Sequence, residues 1–376
     1  DDYANSMVAY VTSDYNTGWM NGDIKLATLS DTDTTSIATA IDAIATGVAG
    51  SATASVSGGT LTSTSSAASN VMWQSAITII AGRSYVISMQ RESGSDAYTR
   101  VYGPWTTQHA IDNQFTGTGS VVTKIFVAAS NSTAVQFVAG GAGSQIVASS
   151  ISLRQAESDR SVNNNGLQVF GTVTKTAVAT GADLVGYSGF SASNYLRQPY
   201  NSDLTFGTGD FSISCWVKAG AANSYRRFIS IQNPAQTQNT DDAITIKYAP
   251  NSNGFIYAYL GTTEGSIETG VVPANIWQQV ILVRSSSTYS LYLNGRSVAT
   301  KASTQTKGST SHILSIGTGA EISEHFSDGS ISLVRISKTA PTAEQIAKIY
   351  NDEKHLFQEN AKATLYGTSN AVTALA

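Results

Sequence analysis

The chain has 376 residues, of which only 13% are charged, and its formal net charge is −4. No stretch clusters lysine and arginine, which argues against a nucleic-acid partner, and no run of 18 apolar residues predicts insertion in a membrane. The hydrophobic fraction of 41% and the 17 tyrosines argue against disorder and favour a rigid, extracellular all-β protein.

The first 50 residues predict a hairpin followed by a helix, and we interpret them as an attachment segment or part of a flanking module. Met7–Ser13 and Ile24–Leu29 are apolar stretches on either side of a glycine-containing turn. A heptad-like stripe follows, made up of Ile37, Ile41, Ile44 and Val48. Its steps of four, three and four residues predict a helix over residues 34–49. This stripe either packs on its own domain or forms a seam between copies of the chain, with a trimer favoured.

Residues 51–156 predict a first antiparallel β-sandwich. Short apolar strands alternate with polar turns, as in Ser75–Arg91 and Ser144–Arg154. The strand pair IIAGRSYVISMQ and the closing strand SQIVASSISLR resemble the carbohydrate-binding-module type of jelly roll. The polar residues 157–166 are predicted to form the linker to the next domain.

Residues 167–351 predict a second antiparallel sandwich. Between Phe211 and Lys218 apolar and polar residues alternate, which is typical of a half-buried strand, and the only cysteine, Cys215, falls on its apolar side. Asn294-Gly295 separates two apolar runs and predicts a hairpin with a type I′ turn. Thr342 and Gln345 have the spacing of a capping box and predict a short helix over residues 342–350.

The order of these segments resembles the laminin-G-like, concanavalin A-like jelly roll. The resemblance rests on SDLTFGTGDFSISCWVK, NIWQQVILVR, YSLYLNGRSVAT, LSIGTG and FSDGSISLVRISKTAPTAEQIAKIY. An acid that is usual in the closing strand of this family falls at Ser332 here. Together with the first sandwich, the resemblance implies an all-β chain of two tandem antiparallel β-sandwiches. It implies no single activity, because the fold hosts lectins, adhesins and glycosidases.

The two flanks are similar to segments around such domains in bacteriophage tail-fibre and other virion proteins. They read AYVTSDYNTGWMNGDIKLATLSDT and FQENAKATLYGTSNAVTALA. The similarity implies a virion structural protein, part of a tail fibre or receptor-binding appendage with other virion proteins as partners, located in the virion or otherwise outside the cell. We expect a segment of a longer or processed polypeptide, with residues 352–376 leading into a further module or partner. A structural spacer or decoration module and a bacterial surface adhesin are the alternatives.

Two groups of aromatic and polar residues are candidates for carbohydrate binding, because sugar rings stack on aromatic faces with polar groups alongside. The group in the first sandwich consists of Tyr98, Arg100, Tyr102, Trp105 and His109. The group in the second consists of Tyr225, Tyr257 and Tyr259. We expect them to contact a host-surface glycan or polysaccharide, although packing of the aromatic rings inside the protein is the alternative for both groups.

The sequence favours a binding protein over an enzyme. Glycoside hydrolysis needs two carboxylates that flank a sugar bond, and the Glu-x-Asp-x-x-Glu strand carried by concanavalin A-like hydrolases has no counterpart here. The nearest acids, Glu321 and Glu324, are predicted to lie in a solvated loop, and His312 is interpreted as a surface residue. A polysaccharide depolymerase is the less favoured alternative.

No cofactor is expected to be required, but calcium is a candidate ligand. Calcium binds clustered oxygen ligands, and laminin-G-like domains often hold it at the rim of the sandwich. The resemblance therefore points to Asp241, Asp242 and Asp328 as candidate ligands. A plain surface turn is the alternative interpretation of these acids.

Overall fold

The structure, a computed structural model, describes most of the chain. The described residues are 9–11, 24–29, 33–38, 48–49, 52–57, 60–65, 71–81, 83–94, 101–102, 108–111, 118–119, 121–128, 131–137, 145–157, 161, 163, 165–220, 225–235, 240–249, 254–322, 325–359 and 363–365.

Strands dominate the described residues, and the expectation of an all-β chain is confirmed. The strands up to residue 157 are β1 (Ala9–Val11), β2 (Ile24–Thr28), β3 (Ile37–Ala38), β4 (Val48–Ala49), β5 (Ala52–Ser57), β6 (Thr60–Ser65), β7 (Val71–Ile79), β8 (Ser84–Gly94), β9 (Val101–Tyr102), β10 (Gln108–Ile111), β11 (Val121–Val127), β12 (Ser132–Phe137) and β13 (Gln145–Glu157). The later strands are β14 (Leu167–Phe170), β15 (Thr172–Ala177), β16 (Val185–Ser188), β17 (Tyr195–Gln198), β18 (Phe211–Lys218), β19 (Arg226–Gln232), β20 (Ile244–Ala249), β21 (Phe255–Tyr259), β22 (Ser266–Val271), β23 (Trp277–Ser285), β24 (Thr288–Leu293), β25 (Arg296–Ala302), β26 (Ile313–Ile316), β27 (Ser330–Ser337) and β28 (Ala363–Leu365). Helix α1 spans Ala343–Glu353, and 3-10 turns span Ser202–Leu204 and Lys354–Phe357. No helix among these elements has the length and apolar character that crossing a membrane requires.

The chain divides into two compact units. The larger unit contains the described residues up to Ile37, those between 159 and 165, and those from Thr172 onward. The smaller unit contains the described residues from Ala38 to 157, together with 166–171. The predicted linker at 157–166 therefore differs from the observed division, because β14 returns to pair with the end of β13 through Ala156↔Gln168 and Glu157↔Leu167.

The smaller unit contains two groups of paired strands. In one, β8 lies between β11 and β13, and β13 also pairs with β6, which pairs with β5. The other has the order β10-β9-β12-β7-β4. The core side chains that are described include Tyr85 and Phe126, whose rings stack at 5.7 Å across the β8–β11 pair. Two packed antiparallel sheets are the arrangement that the strand pattern of residues 51–156 predicts.

The larger unit is a jelly roll of two sheets. We call β25-β24-β23-β18-β27-β16-β15 the helix-covered sheet and β17-β26-β19-β20-β21-β22 the tyrosine sheet. The alternation in β18 predicted burial on one face only. In the helix-covered sheet, however, β18 is buried on both faces. Phe357 provides the reason, because its ring stacks on Trp216 at 4.1 Å and covers the polar side of the strand.

Helix α1 forms as the sequence predicts. The Thr342 hydroxyl accepts a hydrogen bond from the Gln345 amide at 3.3 Å, and the Gln345 side chain accepts one from the Thr342 amide at 2.8 Å, which completes the capping box. Ile346 packs against Ile281 and Val283 of β23. The predicted hairpin is also confirmed, since Asn294 and Gly295 both have positive φ, at 50° and 76°.

The region predicted as an N-terminal attachment segment contributes a strand to the jelly roll. Strand β2 pairs antiparallel with β27 from Ile24↔Ser337 to Thr28↔Val334. Leu26 and Leu29 are fully buried as a result. Next to this pairing the backbone of Leu333 has a φ of 50°. Its amide donates a hydrogen bond to the Leu29 carbonyl at 2.7 Å, which holds the end of β2 against β27.

The helix predicted over residues 34–49 is wrong where the structure describes it. Both ends of that stretch are short strands, β3 and β4. Ile37 is only 6% exposed within its own chain, so it is unavailable for the predicted seam. Val48 lies on β4, and Ile41 and Ile44 fall outside the described residues. Isoleucine and valine are β-branched and favour strands, and this preference with strand pairing overrides the helical spacing.

Candidate functional site

Two tyrosines project side by side from the tyrosine sheet. On β21, Tyr257 and Tyr259 alternate with Ile256 and Ala258, which are completely buried in the core. Because successive side chains of a strand point to opposite faces, both tyrosines lie on the side of the sheet away from the core. Each is half-buried, so part of each side chain remains open to solvent.

A third tyrosine extends this aromatic surface. Tyr225, which immediately precedes β19, is 38% exposed and meets the Tyr257 ring edge-to-face with centroids 6.3 Å apart. The His325 ring also meets the Tyr225 ring edge-to-face, with centroids 6.0 Å apart. Burial raises the pKa of Tyr257 to about 12, so its phenol stays protonated and can donate a hydrogen bond at neutral pH. The structure thus brings together the three tyrosines predicted in this domain.

Lys247 lies among these rings. It is directly opposite Tyr257 in the β20–β21 pair, and its ammonium is 5.8 Å from the centre of the Tyr257 ring and 5.0 Å from that of Tyr259. Burial, to 8% exposure, lowers the pKa of Lys247 to about 8. The guanidinium of Arg227 lowers it further, whereas the carboxylate of Glu321 acts in the opposite direction.

Arg227 and Glu321 form a buried ion pair beside Lys247. The other oxygen of the Glu321 carboxylate accepts a hydrogen bond from Gln232, whose own oxygen accepts one from Ser230 at 2.9 Å. Glu321 was predicted to be solvated, and this is wrong. The positive charge of Arg227 offsets the loss of water around the carboxylate, which allows the turn after β26 to fold onto the sheet.

We call Tyr225, Arg227, Lys247, Tyr257 and Tyr259 the tyrosine face. Its rings present flat apolar surfaces, and its cations and phenols supply hydrogen-bond donors at their edges. The sequence analysis named the three tyrosines but missed Lys247. The alternation in ITIKYA places Lys247 on one face of its strand, but only the register of β19, β20 and β21 shows which residues lie beside it.

The candidates in the first sandwich are not brought together by any described contact. Tyr98, Arg100 and Trp105 lie outside the described residues. Tyr102 and His109 lie on the paired strands β9 and β10. A carbohydrate site in this domain stays a prediction.

The acids proposed as calcium ligands are paired with protein groups. Asp241 accepts hydrogen bonds from the amide and hydroxyl of Thr263 at 2.6 and 2.7 Å, which lower the pKa of its carboxyl. Asp328 lies 3.3 Å from the Arg226 guanidinium. Within the described ranges, no three acidic, histidine or cysteine side chains converge as a metal site requires.

Asp242 has a histidine partner that the sequence analysis placed at the surface. His312 is 1% exposed, and its Nε2 lies 3.2 Å from the Asp242 carboxylate, which also accepts a hydrogen bond from Thr240. The interpretation of His312 as a surface residue is therefore wrong. Because the carboxylate of Asp242 is paired with His312, it already interacts with a protein group rather than with a ligand.

Ser332, at the position of the acid that is usual in the closing strand of the resembled family, is a buried structural residue. Its hydroxyl lies within hydrogen-bond distance of the carbonyls of Val185 at 2.9 Å and Leu29 at 3.2 Å, and its single proton is shared between them. It therefore links β27 to the neighbouring strand β16 and to the end of β2. No reacting group is supplied from this position.

Residues 190–347 match a family model described as the concanavalin A-like lectin/glucanases superfamily, which confirms the jelly-roll domain expected there. No curated protein sequence matches the chain. Among solved structures, domain 4 of AbnA, a GH43 extracellular arabinanase from Geobacillus stearothermophilus, in complex with arabinotriose, is 15% identical with a TM-score of 0.40, over 51% of this chain and 92% of that one.

Two further similar structures are binding domains of larger proteins. The binding domain of Paraclostridial Mosquitocidal Protein 1 is 17% identical, with a TM-score of 0.41 over 52% of this chain and 49% of that one. The ligand binding domain of botulinum neurotoxin serotype D, in complex with N-acetylneuraminic acid, is 14% identical, with a TM-score of 0.41 over 53% and 48%. The alignments span about half the length of these two domains.

Proposed function

We propose that this protein binds glycans through its tyrosine face and that it does so as part of a bacteriophage tail fibre or receptor-binding appendage. The observation that carries the glycan-binding part is the packing of two partly exposed tyrosines, Tyr257 and Tyr259, beside the buried Lys247, with the ring of Tyr225 against that of Tyr257. Sugar rings stack on aromatic faces, and their hydroxyls need polar partners at the ring edge. The family match at residues 190–347 is consistent with this role.

Binding at one tyrosine face would be weak, and display in several copies would strengthen it. A stacked aromatic ring contributes about 1 kcal/mol. Linking several sites raises the overall affinity without any new contact. Copies of the chain and other virion proteins are the partners we propose, with surfaces other than the buried Ile37 joining them.

Two features support binding rather than hydrolysis. The carboxylate of Glu321 is held in an ion pair with Arg227 of the tyrosine face and accepts a hydrogen bond from Gln232. The closing strand carries the buried Ser332 in place of an acid. If the protein were instead a depolymerase, incubation with host polysaccharides would release new reducing ends, whereas we expect none.

The glycan-binding part is tested with the protein displayed in several copies, biotinylated on streptavidin and applied to a glycan microarray. We expect Tyr257→Ala and Tyr259→Ala each to weaken binding about fivefold. Tyr200→Ala is the matched control, since Tyr200 is an exposed tyrosine outside the tyrosine face. Unchanged binding by both variants would refute the assignment of the site. Absence of binding to any glycan would favour a structural spacer.

The virion placement rests on the flanking sequences and has its own test. Antibodies raised against the protein should label virions from the source at their tail or surface appendages in immunogold microscopy. Label on bacterial cells alone would favour a bacterial surface adhesin.

The proposal includes no required metal ion, so glycan binding should be the same with and without EDTA. A loss of binding with EDTA would point to a calcium site.

A further inference from the structure

We propose that the ligand of the tyrosine face is an acidic glycan, one whose sugar carries a carboxylate that binds the ammonium of Lys247. This inference rests on the proposed glycan-binding function and adds the chemical class of the ligand. Three observations carry it: the unfilled hydrogen-bonding capacity of Lys247, the surplus of positive charge around it, and the flat aromatic surfaces beside it.

Lys247 is 8% exposed, and among the described residues its ammonium has no hydrogen-bond acceptor. Its contacts within the described structure are with the faces of Tyr257 and Tyr259, and its ammonium donates no hydrogen bond to any described residue. A lysine ammonium carries three donors, and burying a cation without acceptors is unfavourable. The rings offset only part of that cost. Lys247 therefore has donors that a carboxylate, which accepts hydrogen bonds with both oxygens, would satisfy.

The charges around Lys247 favour an anion. Arg227 lies directly opposite Lys247 in the β19–β20 pair, and like charges at such positions repel each other. Glu321 supplies one negative charge, but its two oxygens are already engaged by Arg227 and Gln232. Arg227 and Lys247 are thus two cations beside one carboxylate, that of Glu321. Burial and, after it, the charge of Arg227 lower the pKa of Lys247, and a ligand carboxylate would supply negative charge beside the ammonium.

The aromatic rings favour a sugar as the carrier of that carboxylate. Tyr257 and Tyr259 flank the ammonium at 5.8 and 5.0 Å, so a ring stacked on either tyrosine would place its substituents within reach of Lys247. A polyanion such as nucleic acid would require a row of cations, whereas the chain carries a net charge of −4. A single lysine without an acceptor among the described residues, between two tyrosine rings, fits the one carboxylate of a sugar acid.

The test compares acidic oligosaccharides with the same oligosaccharides after chemical reduction of their carboxyl groups to alcohols. A panel of uronic-acid and sialic-acid glycans, each with its reduced partner, is applied to the streptavidin-displayed protein. We expect at least one acidic member to bind about tenfold more tightly than its reduced partner. Lys247→Gln should abolish this difference, so that the acidic and reduced members of a pair bind with the same affinity. Lys348→Gln removes an exposed lysine from α1 and should keep the difference.

The pH dependence gives a second, independent measurement. The groups that face Lys247 are Arg227 from β19, Glu321 from the turn after β26, and Tyr257 and Tyr259 from β21. Lys247 is the group among them that loses its charge as the pH rises from about 7 to about 9. The affinity for the acidic glycan should therefore fall over that range in the wild type. It should stay constant in Lys247→Arg, because arginine remains charged.

The outcomes separate this inference from the function on which it rests. Equal binding of acidic and reduced glycans would overturn the inference and leave glycan binding intact. A preference that survives Lys247→Gln would also overturn it, provided that the variant melts at the wild-type temperature. Tyr257→Ala should weaken binding of both members of a pair by the same factor, because stacking does not depend on the carboxylate. Absence of binding to any glycan would overturn both proposals.

Discussion

Replacing Glu353 with alanine should destabilise the larger unit more than any change at the exposed surface of the same helix. Glu353 is 2% exposed at the end of α1, and its carboxylate lies 2.6 Å from the guanidinium of Arg335 on β27. It also accepts hydrogen bonds from the indole of Trp216 at 2.7 Å and from Gln279 at 3.4 Å. Alanine would remove the buried carboxylate that pairs with Arg335 and accepts from the Trp216 indole, and breaking a buried pair of this kind costs about 3–5 kcal/mol.

Thermal and urea unfolding of the whole chain measure this loss. For a domain of this size, about 4 kcal/mol lowers the midpoint by roughly 8–16 °C. Asp352→Ala is the matched control, because Asp352 forms an exposed pair with Lys348 on the same helix and should contribute no more than about 0.5 kcal/mol. The double variant Arg335→Met/Glu353→Leu should recover part of the stability, since it removes both buried charges. A loss below about 1 kcal/mol for Glu353→Ala would refute this reasoning.

Three further predictions concern buried groups. Leu26→Ala should lower the free energy of unfolding by about 2–5 kcal/mol, as measured by urea titration, because Leu26 of β2 is fully buried in the jelly roll; a loss below about 1 kcal/mol would mean that β2 is dispensable. The Cys215 thiol should not react with a thiol reagent until the protein unfolds, since burial raises its pKa to about 12; rapid reaction of the native protein would contradict this. Burial also lowers the pKa of His312, although Asp242 opposes this and Lys307 adds to it. The unfolded chain therefore binds the proton more readily, and stability should fall as the pH drops below about 6.5. The midpoint of His312→Gln should fall less than that of the wild type, and equal pH profiles would argue against this role for the histidine.

Local signals in the sequence were sufficient where neighbouring residues decide the structure. The type I′ turn at Asn294-Gly295 follows from two residues that tolerate positive φ, and the start of α1 follows from the capping pair Thr342 and Gln345. The alternation on β21 likewise predicted that Tyr257 and Tyr259 share a face. In each case the interaction that stabilises the element lies within a few residues of it.

Elements that depend on distant partners were missed or wrongly predicted. β2 forms because it pairs with β27, which lies more than 300 residues later in the chain. The residues around Ile24 carry no signal for that partner. Ile37 shows the opposite case, since its spacing from Val48 suggested a helix while its burial and strand geometry come from tertiary pairing. Glu353 is buried at the end of α1 because Arg335 and Trp216, which are distant in sequence, bind its carboxylate.

The tyrosine face depends both on local alternation along one strand and on the register between strands. These two features point to different properties of its ligand. The alternation in FIYAY is local, so aromatic stacking could be predicted from the sequence. The charge of the face is set by register, because the pairing of β20 with β19 and β21 brings Lys247 opposite both Arg227 and Tyr257. The tyrosines therefore favour a sugar in general, whereas the strand register favours a sugar acid. A glycan that distinguishes Lys247→Gln from Tyr257→Ala would separate these two contributions experimentally.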